Sequence, residues 1–310
     1  MPNPANQNRS IGVIVSTTNG GQSWTETLLE QLGDKDTALN SIHFVNPDVG
    51  WIVGATSKNE ASREGTLLKT SDGGKTWSVS KLPFNQIPTS IYFIDENKGW
   101  MGGSTPLPTD ADEDGGPSDL LATTDGGSTW QAQRRLPISI AEIFFLNSDT
   151  GWVSGYRGAI YQTTDNGRTW NRQRSEIEFD DSFRDLSGDG SKNFIISGIH
   201  FFDAQHGLAA AGEAEDDIGR VVGTVNGGAS WSRKLSSQED GIHDVFLVSP
   251  TEGWAVARFP KYIYHTLDGG SYWETETIEF EQEVPFFKIA GANASHIWAV
   301  GGGAIFFRIP

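Results

Sequence analysis

The sequence predicts an all-β fold, a β-propeller of four-stranded antiparallel blades, from two alternating motifs and a turn-rich composition. An eight-residue motif, Thr-x-Asp/Asn-Gly/Asn-Gly-x-Ser/Thr/Tyr-Trp, occurs six times in 310 residues. Gaps of 53, 53, 40, 61 and 42 residues separate its tryptophans, which is typical of one propeller blade per copy. Glycine (37 residues) and tryptophan (11 residues) are abundant, which favours short strands joined by tight turns.

Each copy of this motif predicts the turn of a β-hairpin. A side-chain oxygen at the third position can accept hydrogen bonds from its own turn, and the glycines tolerate positive φ. The predicted turn formers are Asn19, Asp72, Asp125, Asp165, Asn226 and Asp268, and the tryptophans that close the hairpins are Trp24, Trp77, Trp130, Trp170, Trp231 and Trp273. Because asparagine replaces aspartate in two copies, we interpret these side chains as structural and predict no catalytic residue among them.

A second motif lies between the copies of the first. It consists of an alternating apolar strand, a polar turn and a Gly-Trp strand, and its copies are Ile42 to Gly54, Ile91 to Gly103, Ile143 to Gly155, Ile199 to Gly212 and Val245 to Ala257, with a weaker one at Phe287 to Gly301. In the third copy we predict strands at Ile140 to Leu146, Trp152 to Ser154 and Ala159 to Thr163. Two motifs in regular alternation define one blade.

The blade count stays open between six and seven. Five units run complete, and we expect residues 1–310 to form a single propeller domain, with residues 1–10 as a flexible lead. Propellers protect their edges by letting both chain ends share one blade, which favours six blades with a mixed closing blade. That count leaves one N-terminal strand over, so seven blades with one irregular blade is the alternative.

Charge and composition exclude several functions. The formal net charge is −17, which opposes binding to nucleic acid or to anionic lipid. With no cysteine, the chain has no disulfide, thiol nucleophile or thiolate metal site. No segment resembles a signal peptide or reaches the length of a membrane span, and we expect a protein that is monomeric on its own and does not insert into the membrane.

The repeats also carry a family resemblance. Thr123 to Trp130 and Gly151 to Gly155 resemble the repeat of photosystem II stability/assembly factor-like proteins, and the resemblance extends from Ile11 to Pro310. It implies a seven-bladed propeller without enzymatic activity that helps a membrane-bound photosynthetic complex to assemble. It also implies an extracytoplasmic location, in the periplasm or a lumen, if the chain is a mature form. Sialidases, xyloglucan-degrading hydrolases and sortilin-type receptors share the turn motif, which therefore does not name a function.

The leading hypothesis is therefore a noncatalytic scaffold that docks a larger protein complex. The alternative is a carbohydrate-active propeller, either a glycoside hydrolase, a sialidase-like enzyme or a lectin-like glycan binder. A hydrolase would need two carboxylates converging near the propeller axis, and their separation cannot be deduced from sequence spacing. A cluster of inward-facing carboxylates would distinguish the two hypotheses.

One group of arginines is a candidate for partner binding. Arg134 and Arg135 follow one turn motif, and Arg168, Arg172 and Arg174 lie around the next one. The family resemblance implies a basic patch on one propeller face, whereas this chain is acidic overall. Two interpretations stay open: a partner-binding patch on one rim, or ordinary surface arginines paired with nearby acidic residues.

One acidic loop is a candidate calcium site, and no other cofactor is predicted. Asp110, Asp112 and Asp114 alternate and are followed by glycine, a pattern that can surround a hard cation with oxygen ligands. The twelfth position of the loop is Leu121 instead of the glutamate of an EF-hand, so a further ligand such as Asp119 would be required. A solvated acidic loop is the alternative interpretation.

Overall fold

The fold is that of a computed structural model, which describes residues 12–33, 36–57, 63–84, 86–104, 116–173, 194–213, 219–237, 241–257, 262–277, 286–301 and 304–308. The chain divides into two compact units. The first unit contains Met1–Ala111 and Gly116–Pro137, and the second contains Asp112–Gly115 and Ile138–Pro310. Within the described residues, no helical segment has the length and apolar character that crossing a bilayer requires.

The first unit contains three antiparallel sheets. The N-terminal sheet consists of β1 (Val13–Ser16) and β2 (Thr25–Leu28), followed by a 3₁₀ turn at Glu30–Leu32. Sheet I consists of β3 (Asp36–Phe44), β4 (Gly50–Ser57), β5 (Arg63–Thr70) and β6 (Ser78–Lys81). Sheet II consists of β7 (Ile87–Phe93), β8 (Gly99–Ser104), β9 (Ser118–Thr123) and β10 (Gln131–Leu136).

The second unit contains four antiparallel sheets. Sheet III consists of β11 (Ile140–Phe145), β12 (Gly151–Gly155), β13 (Ile160–Thr163) and β14 (Asn171–Arg172). Sheet IV consists of β15 (Phe194–Phe201), β16 (Gly207–Glu213), β17 (Gly219–Thr224) and β18 (Ser232–Ser237). Sheet V consists of β19 (Ile242–Leu247), β20 (Gly253–Ala257), β21 (Tyr262–Thr266) and β22 (Glu274–Thr277). Sheet VI consists of β23 (Lys288–Asn293), β24 (His296–Gly301) and β25 (Ala304–Arg308).

The predicted fold class, an all-β propeller of four-stranded antiparallel blades, is confirmed. The three strands predicted in sheet III differ from β11, β12 and β13 by one or two residues at their ends. The described strands make seven sheets, which agrees with seven blades and not with six. One expectation needs correction: the two terminal segments do not share a hydrogen-bonded sheet in the described residues. The C-terminal strands β23, β24 and β25 form sheet VI, and β1 pairs with β2 in a separate sheet.

Aromatic stacking joins neighbouring sheets within each unit. In the first unit Trp51 of sheet I stacks face to face on Phe93 of sheet II, with ring centroids 3.6 Å apart. Phe93 also meets the edge of Trp130 at 6.0 Å. Trp152, Phe201 and Trp231 repeat this arrangement in the second unit, at 3.6 and 5.7 Å. In each unit, a tryptophan on the second strand of one sheet therefore packs on an aromatic ring on the first strand of the next sheet.

The glycine before that tryptophan is a steric requirement. A Cβ atom at Gly99 would lie 2.6 Å from the ring of Phe93, and one at Gly151 would lie 2.5 Å from the ring of Phe145. The aromatic ring of the first strand can therefore lie flat over the second strand only where the side chain is hydrogen. This contact explains the Gly-Trp pair of the second motif.

Candidate functional site

The predicted turn formers make the hydrogen bonds that hairpin formation requires. In the third copy Asp125 Oδ1 accepts the backbone N–H of Thr129 at 2.8 Å, and Asp125 Oδ2 accepts the Thr129 hydroxyl at 2.6 Å. These bonds lower the pKa of Asp125 to about 2, and the equivalent bonds from Thr76 lower the pKa of Asp72 to about 2. Asn226 accepts the backbone N–H of Ser230 in the same way. These side chains are engaged within their own turns, which leaves no role for them as proton donors.

The motif tryptophans are mostly buried under these turns. Trp77, Trp130, Trp170 and Trp231 are buried, and the indole N–H groups of the first three donate to the carbonyl of the second motif glycine at 3.1 Å. Trp273 is half-buried, and Trp24 is the most exposed of the six, with 38% of its surface exposed in the two-stranded N-terminal sheet. The motif tryptophan of the two-stranded sheet is thus less buried than those of the four-stranded sheets.

The first two candidate arginines lie on β10 in the first unit. Arg134 and Arg135 are both exposed. Arg135 Nη1 donates to both carboxylate oxygens of Asp119, at 3.2 Å each. Asp119, a candidate calcium ligand, is therefore committed to an ion pair on the neighbouring strand. An exposed pair of this kind stabilises the fold by about 0–1 kcal/mol.

The other candidate arginines belong to the second unit. Arg168 is exposed in the motif turn of sheet III, and Arg172 is exposed on β14. Arg174 lies outside the described residues. One pair therefore belongs to each unit, and partner binding at either pair stays a prediction.

The candidate calcium ligands Asp110, Asp112 and Asp114 also lie outside the described residues. In the part of the chain that the structure describes, no group of three or more His, Asp or Glu side chains could hold a metal ion. Calcium binding at the acidic loop therefore stays a prediction.

Three charged side chains that sequence reasoning missed meet on the first strands of sheets III, V and VI. Lys288 Nζ donates to Glu142 Oε2 and lies 3.9 Å from Asp244 Oδ2. Asp244 is buried, and its carboxylate accepts the backbone N–H groups of Val245 and Ile289 at 3.0 Å each. We name this group the charged cluster. It links three sheets through residues up to 146 positions apart.

Glycine in sheet IV leaves room for the charged cluster. A Cβ atom at Gly198 would lie 2.2 Å from Asp244 Oδ1. Gly198, Glu142, Asp244 and Lys288 each directly precede an Ile or Val at the same point of the second motif. Sheets I and II carry serine at this repeat position. Aligning the repeats by this position could have found the cluster, because three charged residues occupy a position that is otherwise Ser or Gly.

The electrostatics of the charged cluster suit structural support better than proton transfer. Burial raises the pKa of Asp244 to about 6, while the nearby Lys288 ammonium opposes that shift. The two carboxylates raise the pKa of Lys288 despite its burial cost, so the lysine stays charged at neutral pH. A hydrolase needs a free acid and a free base facing a substrate. Here one lysine contacts both carboxylates.

An aromatic row lies on the first strands of sheets III, IV and V. The His200 ring lies between Phe144 and Phe246, with centroids 4.9 and 4.6 Å away. His200 Nδ1 accepts the backbone N–H of Leu247 at 3.2 Å, which identifies that nitrogen as unprotonated. Burial lowers the pKa of His200 to about 4. This histidine is neutral at physiological pH and acts as a packing residue.

The lowered pKa of His200 predicts acid sensitivity. An unfolded histidine takes up its proton near pH 6.5, whereas folded His200 does so near pH 4. The contribution of neutral His200 to the free energy of unfolding is therefore complete above pH 6.5 and is lost as the pH falls toward 4. We expect the difference in unfolding free energy between wild type and His200→Gln to shrink by about 2–3 kcal/mol over that interval. Urea unfolding at pH 4, 5, 6 and 7 measures it. A difference that is independent of pH would contradict the prediction.

Comparison with known proteins finds a family to which part of the chain is similar. Residues 62–197 match the family model described as photosynthesis system II assembly factor YCF48. A curated relative from Oryza sativa subsp. japonica, the chloroplastic photosystem II stability/assembly factor HCF136, is 28% identical over 153 residues. Over this part, the chain is similar to photosystem II stability/assembly factors. The match to the rice relative covers 48% of this chain but only 30% of the relative.

The xyloglucanase structure among the solved structures shows the same fold. The GH74 xyloglucanase from Xanthomonas campestris is 15% identical, with a TM-score of 0.65, and the match covers 97% of this chain and 50% of the enzyme. A structure of YCF48 bound to D1 peptide is 20% identical, with a TM-score of 0.44, and the match covers 89% of this chain and 94% of that one. At such identity the xyloglucanase shares the fold alone.

Proposed function

We propose that this protein is a noncatalytic binding factor that supports the assembly or stability of a membrane-bound, photosynthetic-type protein complex. The match of residues 62–197 to the assembly factor family carries the proposal. The rice relative, whose name describes a photosystem II stability/assembly factor, supports it. The match covers only 30% of the rice relative. We therefore propose the role of that relative for this chain and do not take it as shown by the match.

The chemistry of the described residues supports a binding role. The motif aspartates are engaged in their turns, and Glu142 and Asp244 both contact Lys288. In this arrangement the carboxylates hold strands together and offer no free acid and base pair to a glycan. These contacts give the carbohydrate-active alternative no support, and a shared fold does not determine function.

We further propose that the protein works outside the cytoplasm, in a periplasm or lumen, beside the membrane that holds its partner. The chloroplastic location in the name of the rice relative supports this placement. A net charge of −17 would repel anionic lipid headgroups, so contact with a protein partner is the favoured route to the membrane.

Affinity capture from gently solubilised membranes of the source organism, followed by mass spectrometry, tests the function. We expect stoichiometric recovery of the subunits of a membrane complex above a tag-only, salt-washed control. Recovery no greater than the control would contradict the proposal. Glycan-array binding and hydrolase assays would then test the carbohydrate alternative.

Charge-reversal variants in the same capture test the two arginine pairs separately. We expect Arg134→Glu/Arg135→Glu or Arg168→Glu/Arg172→Glu to reduce recovery about fivefold or more, because reversed charges repel a complementary surface. Arg63→Glu, at an exposed position on β5, is the matched control and should leave recovery unchanged. If both double variants recover as much complex as the control variant, the arginines are ordinary surface residues.

A further inference from the structure

A groove opens in the second unit beside the turn between β23 and β24. Its cavity volume is about 350 Å³, at the lower end of the range of about 300–1,000 Å³ that is usual for small-ligand sites. The lining residues are Phe202, Phe246, Leu247, Val248, Ser249, Glu252, Ala292, Asn293 and Ala294. Most of them are apolar, and Glu252 is the one ionisable side chain among them.

The groove exists because sheet VI departs from the repeat. Sheets III, IV and V end their first strand with Phe144 to Leu146, His200 to Phe202 and Phe246 to Val248, whereas sheet VI has Ala290, Gly291 and Ala292 at these positions. The strand register supports this alignment, because Ala290 pairs with Trp298 as Phe246 pairs with Trp254. Three large side chains are thus replaced by small ones at one point of the molecule.

The neighbouring side chains do not fill the vacated space. Phe202 remains 42% exposed, although the equivalent Leu146 and Val248 are only partly exposed. Gly291 allows no enlargement, because a Cβ atom there would lie 2.4 Å from Ile297 Cδ1 and 2.8 Å from Phe246 Cε1. The apolar wall of the groove is therefore available to a side chain from outside the protein.

The rim of the groove is held in place before anything binds. Glu252 Oε1 lies 3.2 Å from His265 Nε2, and its backbone N–H donates to Ser249 Oγ at 2.8 Å. Asn293 Oδ1 accepts the backbone N–H of Ser295 at 3.0 Å, which fixes the β23–β24 turn. A preformed groove loses less conformational entropy on binding than a flexible one.

We propose that this groove binds a large apolar side chain, such as phenylalanine, from a segment of the partner protein in which a lysine or arginine lies next to it. The inference rests on the proposed function, since it assumes a protein partner. The apolar wall of the groove favours binding of a large apolar side chain. The carboxylate of Glu252 and the net charge of −17 select a basic flank over an acidic one.

The test uses two small probes with a fluorine label on the aromatic ring. They are N-acetylated, C-amidated tripeptides with 4-fluorophenylalanine between two lysines or between two glutamates. Fluorine NMR relaxation gives their affinities for the full-length protein. We expect the lysine-flanked probe to bind about threefold tighter or more, which is the range for one exposed ion pair. Equal affinity of the two probes would overturn the basic flank.

Variants locate the binding in the groove. Ala292→Leu restores a side chain of the size found in other repeats and should weaken the lysine-flanked probe about tenfold or more, because it fills the apolar space. Ala204→Leu, at an exposed turn position outside the lining, is the matched control and should bind like wild type. Phe202→Ser removes one wall of the groove at an exposed site and should also weaken binding. Unchanged binding to both groove variants would overturn the proposal.

Sedimentation and capture test the groove and the proposed function separately. A wild-type dimer together with an Ala292→Leu monomer would overturn the proposal, since it would assign the groove to a second copy of the chain. Failed capture of a membrane complex, together with groove-dependent probe binding, would contradict the proposed function but support the groove. Successful capture that Ala292→Leu leaves unchanged, with no probe binding, would contradict the groove alone.

Discussion

Replacing Phe93 by alanine is expected to lower the free energy of unfolding by about 3–5 kcal/mol, the range for loss of a large buried aromatic side chain. Phe93 is 1% exposed, stacks on Trp51 and meets the edge of Trp130. Its removal leaves a cavity at the point where sheets I and II contact each other. Urea-induced unfolding followed by tryptophan fluorescence measures the loss.

Phe44→Ala is the matched control for Phe93. Phe44 holds the same repeat position in sheet I, but it is 38% exposed, and its ring meets the edge of Trp77 at 6.0 Å. We expect a loss of about 1–2 kcal/mol, since less apolar surface returns to water. Equal losses of unfolding free energy in the two variants would contradict this prediction. They would show that the aromatic ring of the first strand stabilises its own sheet and that the stack between sheets contributes little.

Replacing Lys288 by methionine should produce the second large effect, a loss of about 2–4 kcal/mol in the free energy of unfolding. The change keeps the apolar stem but leaves the buried carboxylate of Asp244 without its cation, and an uncompensated buried charge is strongly destabilising. The lysine side chain is 41% exposed, which places the loss below that of a fully buried pair. Chemical unfolding at pH 7 measures it.

Two controls separate charge from packing in the Lys288 variant. Lys81→Met breaks an exposed pair with Glu64, whose side chains are 67% and 40% exposed, and should lower stability by less than about 1 kcal/mol. Adding Asp244→Asn to Lys288→Met should recover part of the loss, because it removes the uncompensated charge. If Lys288→Met unfolds at the same denaturant concentration as Lys81→Met, the charged cluster does not hold the first strands together.

The charged cluster and the groove both lie where individual repeats depart from the common sequence pattern. At the position before the first-strand Ile or Val, three repeats carry charged residues that bind each other. At the end of the same strand, sheet VI carries small residues that leave a groove. Departures from an otherwise regular repeat therefore mark both the internal support and the proposed binding surface of this molecule.

Strand pairing, and not sequence spacing, decides which residue Arg135 meets. Arg134 follows the third copy of the turn motif and Arg168 lies within the fourth copy, yet the two residues belong to different compact units. Arg135, in turn, is paired with Asp119, an acidic residue that lies 16 positions away on the adjacent strand. Sequence spacing predicted which hairpins carry the arginines, but strand pairing decided that Arg135 meets Asp119.

The sequence by itself determined the hairpin turns and the strand order, because these depend on contacts within a few residues and on a motif repeated six times. Asp125 and Asn226, for example, bind backbone groups four positions away. Only the tertiary structure decided that Lys288 meets Glu142 and that Phe93 is buried where Phe44 is not. Those outcomes depend on which sheets are neighbours, and residues that lie far apart along the chain carry no local signal of their eventual contact.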